Sequence, residues 1–152
     1  MAQQFDVFEP GDQTALVAFD EPRYAEVVSK QLTAIDYKVH GTDSYEELLI
    51  QVKTHQYDLI LVQADYAGWT IEQNEILQSV TKLPAEIRRN EYVVLMGNNL
   101  PTNDEMLAFI YSVDLIFDFA DIPTFKAVLR RSLARHRDFY HNFRESFKAP
   151  RV

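Results

Sequence analysis

Residues 58–62 read Asp-Leu-Ile-Leu-Val, and this stretch decides the fold of the chain. Its four apolar residues follow one another without a polar interruption, and the run is too short to be a buried helix. Such a run is typical of a central strand that is covered on both faces, which implies a parallel sheet. The sequence on either side should then alternate between strands and helices.

Strand and helix patterns do alternate along the rest of the chain. Apolar runs predict strands at 14–19, 58–62, 92–96 and 115–117, and alternation of apolar and polar residues predicts a short half-buried strand at 37–40. The spacing of apolar residues predicts helices at 22–36, from residue 45 onward, at 71–89, at 103–112, and from Pro123 to about Phe147. The second helix has its cap in 42–44, the third should break at Pro84, and the fourth is capped by Thr102 or Asn103. Right-handed crossovers join such strands into a three-layer α/β sandwich with a five-stranded parallel sheet.

The composition is that of one globular domain and excludes several classes of protein. The chain has 152 residues, of which 47% are hydrophobic and 25% charged, so it can bury a core. No apolar run approaches the ~20 residues that cross a bilayer, and the N-terminus lacks a secretory pattern. We therefore expect a cytoplasmic protein with no membrane partner. The absence of cysteine excludes disulfides, thiolate nucleophiles and zinc ribbons.

Charge is divided unevenly along the chain. Residues 1–121 carry 7 basic and 21 acidic side chains, a net charge of −14, whereas residues 122–152 carry 8 basic and 2 acidic, a net charge of +6. The acidic body repels phosphate backbones, so a nucleic acid could bind only at the basic end. We rank that function last, because no helix-turn-helix follows. The basic helix face, which we expect to be solvated or paired with acids, consists of Arg130, Arg131, Arg135 and Arg137.

Other catalytic patterns are missing from the sequence. The four histidines (40, 55, 136 and 141) have no metal-ligand spacing, and we expect them to be exposed. The four glycines are scattered and form no phosphate-binding loop, and no serine lies in a nucleophile elbow. We therefore expect no enzyme, no cofactor and no small-molecule substrate.

The alternation, the turn Asp20-Glu21-Pro22 after the first strand and the strand 58–62 together resemble the receiver domains of two-component response regulators. The resemblance covers residues 14–135. It implies a flavodoxin-like sheet with strand order 2-1-3-4-5 and a site outside the carboxyl ends of the strands. It also implies a role in signal transduction.

The resemblance also identifies the positions that carry receiver chemistry. In that family two acids after the first strand hold magnesium, an aspartate ending the third strand accepts phosphate, a serine or threonine ends the fourth strand, and a lysine ends the fifth. The matching positions here are Phe19, Asp20, Gln63, Gly97 and Phe119. Only Asp20 keeps the family's residue type, and an amide cannot form an acyl phosphate. The resemblance therefore implies a degenerate pseudo-receiver without catalysis.

In one alternative interpretation the chain retains metal-dependent receiver chemistry. Asp65 follows Gln63 by two residues and could join Asp20 and Glu21 in a displaced magnesium site. The chain would then be a residual phosphoreceiver or a metal-dependent phosphatase. Against this, Asp20 is also suited to the start of a helix, a role that needs no metal.

The last predicted helix is too long for the sheet of a receiver. Its 25 residues would span ~37 Å, so its end should project. Apolar and aromatic residues recur along it at steps of three and four, and an exposed stripe of this kind normally marks a partner surface. The candidate interface comprises Leu133, His136, Phe139, Tyr140, Phe143 and Phe147.

We therefore expect a protein interaction module, either a homodimer or a domain that docks another protein through this helix. The face of the fourth predicted helix, at 103–112, could also take part in the dimer. In two other interpretations the helix bends back, or the segment 5–8 covers its stripe. The predicted division of the chain is an N-terminal segment at 1–13, a receiver-like domain at 14–137, and the projecting end of the helix with the tail at 138–152.

Overall fold

The structure is a computed structural model that describes the backbone of residues 4–148 and the side chains of residues 5–139. Within this part of the chain one sheet contains all the strands, in the order β1-β3-β2-β4-β5-β6. The strands are β1 (Gln4–Phe5), β2 (Gln13–Ala18), β3 (Tyr37–Gly41), β4 (Leu59–Gln63), β5 (Tyr92–Gly97) and β6 (Leu115–Asp118).

The strand order confirms the prediction of a flavodoxin-like sheet. Strands β2 to β6 are parallel, and counted among themselves they have the order 2-1-3-4-5. The additional strand β1 pairs antiparallel with β3 at the edge of the sheet. The sequence analysis missed β1, because two residues are too few to show an alternating pattern.

The helices follow the predicted alternation, with corrections at their ends. They are α1 (Pro22–Ala34), α2 (Tyr45–Thr54), α3 (Glu75–Thr81), α4 (Ala85–Arg88), α5 (Glu105–Tyr111) and α6 (Phe125–Lys148). The stretch 71–89 holds two helices separated around Pro84. Helix α5 is capped by Asp104 instead of Thr102 or Asn103. Helix α6 begins at Phe125 instead of Pro123, because Phe119–Thr124 forms 3-10 turns. Of the described helices, none is both long and apolar enough to cross a membrane.

The core lies on both faces of the sheet, as the run at 58–62 predicts. All five residues of β4 are buried. Alternate residues point to opposite faces: Leu61 packs in the layer of α1 and α6, whereas Ile60 and Val62 pack in the layer of α2, α3 and α5. Aspartate side chains bind backbone N–H groups near the starts of two strands. Asp58 Oδ2 accepts from Thr14 N at 2.8 Å, and Asp114 Oδ2 accepts from Val93 N at 2.8 Å.

The N-terminal segment packs on the β3 side of the sheet, against His40. The Phe8 ring stacks on the His40 ring with centroids 4.0 Å apart, and His40 Nδ1 lies 2.8 Å from the Tyr57 hydroxyl oxygen. His40 Nε2 lies 3.0 Å from the Asp6 carbonyl oxygen. His40 is therefore buried, which corrects the expectation of an exposed histidine. The segment's described ring contacts are with β3 and its neighbours, not with α6 as one interpretation had it.

Glu91 is the one buried carboxylate with an unsatisfied oxygen among the described side chains. It is 1% exposed, and its Oε2 accepts from Tyr57 N at 3.1 Å, whereas its Oε1 has no hydrogen-bond partner. Burial raises the pKa of Glu91 to about 7 from its usual value of 4.5. The folded protein therefore binds a proton at Glu91 that the unfolded chain does not bind between these two pH values.

We predict that Glu91→Gln stabilises the protein at high pH. Because the folded-state pKa is raised, the stability contributed by Glu91 is present below about pH 4.5 and is lost as the pH rises through about 7. The free energy of unfolding of the variant should exceed that of the wild type by on the order of 2 kcal/mol at pH 8, and the gap should shrink towards pH 5. Urea denaturation across this range measures it. The exposed Glu86→Gln on α4 is the control, and a gap that does not change with pH would contradict the assignment.

Candidate functional site

The parallel register brings five sequence-predicted positions to one edge of the sheet. Gln63 pairs with Met96 at the end of β4, and Gly97 pairs with Asp118 at the end of β5. Phe19 follows β2 and Phe119 follows β6 directly. The carboxyl ends of the strands therefore meet where the resemblance places the site.

Gln63 uses both ends of its amide within the protein. It is buried, and its Oε1 accepts from Asp20 N at 3.0 Å and from Glu21 N at 3.2 Å. Its Nε2 donates to Asp65 Oδ1 at 2.9 Å. The side chain thus connects the end of β4 to the start of α1 and to the loop after β4.

Two of the three carboxylates proposed for a displaced metal site, those of Asp20 and Asp65, have partners within the protein. The third residue, Glu21, directly precedes α1 and makes no cap hydrogen bond through its side chain. Asp20 Oδ2 accepts from Ala67 N at 2.6 Å, in a turn where the Ala67 φ is +54°. Asp65 accepts from the Gln63 amide. No group of three or more histidine, cysteine, aspartate or glutamate side chains suited to a metal occurs among the described residues. Asp20 Oδ2 and Asp65 Oδ1 are therefore already bound within the fold.

Aromatic rings occupy two of the positions where the resemblance expects charged groups. The rings of Phe19 and Phe119 are buried and meet edge to face, with centroids 5.4 Å apart. Tyr24 of α1 stacks on Phe119 with centroids 4.2 Å apart. These contacts join the loops after β2 and β6 to α1 by apolar packing. Neither position offers an ionic group.

The hydroxyl position at the end of β5 is sterically restricted. A Cβ atom on Gly97 would lie 3.2 Å from Ala64 Cβ and 3.3 Å from Leu100 Cδ1. Both distances are shorter than ordinary van der Waals contact, so a residue with a Cβ atom here would require these neighbours to shift by a few tenths of an ångström.

Asn74 supports the site, and the sequence analysis missed it. Its fully buried side chain donates from Nδ2 to the Gln63 carbonyl at 2.8 Å and to the Ala64 carbonyl at 3.0 Å. Its Oδ1 accepts from Leu77 N at 2.9 Å and caps α3. An asparagine before Glu75 and an apolar run is a readable cap signal. The contacts with β4 depend on the tertiary structure.

The predicted interface on α6 divides into inward and outward residues. Leu133 packs against the core, and His136 meets the Tyr92 ring edge to face at 5.0 Å. These two are therefore half-buried within the fold instead of belonging to an exposed stripe, because the first turns of α6 lie on the sheet. Phe139 is 65% exposed. The side chains of Tyr140, Phe143 and Phe147 lie outside the described residues. The basic residues Arg130, Arg131, Arg135 and Arg137 are all exposed.

A second apolar surface lies on α5. Met106, Phe109 and Ile110 are 68%, 81% and 61% exposed. The face of this helix, predicted at 103–112, was a second candidate surface for a dimer, but its apolar residues surround the helix and give no single stripe. Ala108 is the residue of α5 that the core buries. The tertiary structure alone shows which side faces outward.

Comparison with solved structures shows that this chain has the receiver fold. The signal receiver domain of a DNA-binding response regulator from Colwellia psychrerythraea 34H has a TM-score of 0.64 and 13% identity, over 81% of this chain and 99% of that one. An orphan response regulator of H. pylori has a TM-score of 0.60 and 18% identity, over 82% and 99%. A receiver domain protein from Methanospirillum hungatei JF-1 has a TM-score of 0.62 and 11% identity, over 84% and 98%. No protein-family model matches the chain, and no curated protein matches its sequence.

We predict that Gln63→Glu destabilises the protein in a pH-dependent way. The variant keeps an oxygen for Asp20 N and Glu21 N, but its second oxygen faces Asp65, which Gln63 Nε2 contacts at 2.9 Å. Two carboxylates at this distance repel each other, so the free energy of unfolding should fall by about 1–3 kcal/mol at pH 8 and recover near pH 4. Urea denaturation measures the effect.

The matched control for this prediction is the double variant Gln63→Glu with Asp65→Asn. It restores a hydrogen-bonded amide–carboxylate pair with the roles reversed, so it should regain most of the lost stability at pH 8. A double variant no more stable than Gln63→Glu would contradict the inferred pairing.

We predict that Asn74→Ala costs more than loss of a helix cap. The variant loses the cap of α3 and leaves the carbonyls of Gln63 and Ala64 without their side-chain donor. The free energy of unfolding should fall by about 2–4 kcal/mol. Asp104→Ala, which removes the cap of α5 alone, is the control and should cost about 1 kcal/mol. Equal losses in the two variants, measured by urea denaturation, would refute the double role of Asn74.

Proposed function

We propose that this chain is a receiver-like signalling module that cannot be phosphorylated and that acts by binding a protein through its C-terminal helix. The observation that carries the proposal is Gln63 at the end of β4, with both ends of its amide bound inside the fold. A signal that is not carried by phosphorylation of this domain has to be carried by binding.

The chemistry of Gln63 supports the loss of phosphoryl acceptance. Phosphorylation of a receiver requires a carboxylate oxygen to attack phosphorus while the donor's leaving group departs. An amide oxygen carries no negative charge, and Gln63 Oε1 already accepts two N–H groups. The ring of Phe119 stands where an ammonium would meet the new charge. These two residues support the proposal that the positions of the family's nucleophile and cation carry neither group here.

The solved structures support a role in signalling by analogy. They include the signal receiver domain of a DNA-binding response regulator and an orphan response regulator. Because these structures are only 13% and 18% identical to this chain, they do not identify its partner or its pathway. We therefore argue the partner from the surfaces of this chain. Of these, α6 extends over 24 residues, or ~36 Å, and carries the exposed arginines. We propose residues 14–137 as the receiver-like domain and residues 138–152 as the part that reaches the partner.

Treatment with a small phosphodonor and magnesium tests the proposal. We expect intact-mass spectrometry to find no phosphoryl adduct and the melting temperature to stay unchanged on addition of magnesium, because no carboxylate replaces Gln63. A receiver domain with an intact aspartate serves as the positive control. An adduct that maps to Asp65 and disappears in Asp65→Asn would overturn the proposal in favour of a residual phosphoreceiver.

A further inference from the structure

A cleft opens at the amino ends of the strands, away from the carboxyl ends where Gln63 lies. It has a volume of about 650 Å³, within the range of about 300–1,000 Å³ that small-molecule sites occupy. Its walls are the end of α1, the starts of β2, β3, β4 and β5, and one side of α6. A small ligand could therefore be enclosed between the two helices and the sheet.

Three aspartates form the acidic part of the cleft. Asp12, Asp36 and Asp58 come directly before β2, β3 and β4. Asp12 Oδ2 and Asp58 Oδ2 accept backbone N–H groups, whereas the Asp36 carboxylate makes no hydrogen bond to any described group. Asp36 also follows the carboxyl end of α1, where no basic side chain lies in the last turn. The negative end of a helix and an unbound carboxylate together favour a cation at this place.

Two arginines of α6 form the basic part of the cleft. Arg130 and Arg137 stand seven residues apart, so they lie on one side of the helix, with Leu133 between them. Both are exposed, and in the part of the chain that the structure describes neither forms an ion pair with a carboxylate. A guanidinium group presents a fork of N–H donors that matches a carboxylate. This part of the cleft therefore favours an anion.

The hydroxyl of Tyr37 is close to both charged parts of the cleft. Tyr37 lines the cleft and is 8% exposed, yet its hydroxyl makes no hydrogen bond to the described residues. Burial raises the pKa of Tyr37, Asp58 raises it further and Arg137 lowers it, so the hydroxyl senses both charges. A polar group that is nine-tenths buried normally has a partner. The hydroxyl is therefore a contact that the fold leaves open to a ligand.

The arrangement of charges selects one class of ligand. A polyanion such as a nucleotide would be repelled by the three aspartates, and a polyamine would be repelled by the two arginines. A zwitterion is attracted to both parts at once. The half-buried side chains of Ile35 and Leu133 add apolar surface for an uncharged body that joins the two charges.

We propose that this cleft binds a small apolar zwitterion such as a dipeptide, with its ammonium group held by Asp36 and Asp58 and its carboxylate held by Arg130 and Arg137. This binding goes beyond the proposed function and does not depend on it, because phosphodonor labelling concerns the opposite ends of the strands. The sequence analysis did not find the cleft, since its residues come from segments far apart in the chain.

Isothermal titration calorimetry of the full chain with three matched dipeptides tests the charge requirement. The probes are Phe-Leu, N-acetyl-Phe-Leu, which has no ammonium group, and Phe-Leu amide, which has no carboxylate. Phe-Leu should bind at one site per chain at millimolar concentrations or below. Each capped form should bind at least about tenfold more weakly, because it loses one set of charge-assisted contacts. Absence of saturable binding of Phe-Leu, or equal binding of all three probes, would overturn the proposal.

Two variants test whether the binding occurs in this cleft. Asp36→Asn should weaken Phe-Leu about tenfold and leave N-acetyl-Phe-Leu unchanged, because that probe has no ammonium group to hold. Arg137→Gln should weaken Phe-Leu by a similar factor and leave Phe-Leu amide unchanged. Both positions are exposed, and asparagine tolerates the φ of 67° at position 36, so both variants should fold.

Charge changes outside the cleft are the controls. Glu26→Gln on α1 and Arg131→Gln on α6 remove the same charges from exposed positions that do not line the cleft, and each should leave the binding of Phe-Leu unchanged. Equal losses of binding in the control and cleft variants would refute the assignment. An Asp36→Asn variant that weakens N-acetyl-Phe-Leu as much as Phe-Leu would refute it as well.

Discussion

The side-chain amide of Gln63 makes the contacts that hold together the edge of the sheet at the carboxyl ends of its strands. Gln63 ends strand β4 and is buried, so the polar atoms of its side chain need hydrogen-bond partners within the protein. Its oxygen accepts from two N–H groups just before α1, and its N–H₂ group donates to Asp65. An ionised carboxylate in place of the amide could not donate to Asp65 and would face another negative charge instead.

The other residues at this edge of the sheet are likewise held by contacts within the protein. The loops after β2 and β6 are held by the packed rings of Phe19 and Phe119. Asp20 turns to the backbone of Ala67 and stabilises the loop after β4. Polar and apolar contacts within the protein thus occupy the edge of the sheet at which the resemblance places the site. The edge joins secondary-structure elements, and the exposed surface lies elsewhere, on α5 and α6.

Much of the fold could be predicted because its signals are local. The run 58–62 indicates a strand buried on both faces, and Ser44 before two glutamates indicates a helix start, which the structure confirms with a bond from Glu47 N to Ser44 Oγ. Errors occurred where a local signal was weak or had competitors. Strand β1 is too short for a pattern, and Asp104 has Thr102 and Asn103 beside it as equally good caps.

The sequence by itself determined the alternation of strands and helices and the parallel pairing of the strands, because periodicity and chain connectivity are local or topological properties. The strand order and the positions to compare with the receiver motif followed from the resemblance to receiver domains. The tertiary structure alone decided which groups those residues contact. Asn74 reaches β4 from α3, His40 is buried under Phe8, and Phe109 faces outward although it is apolar. The reason is that such contacts depend on distances between segments far apart in the chain, which packing of the two layers on the sheet fixes and which no window of sequence contains.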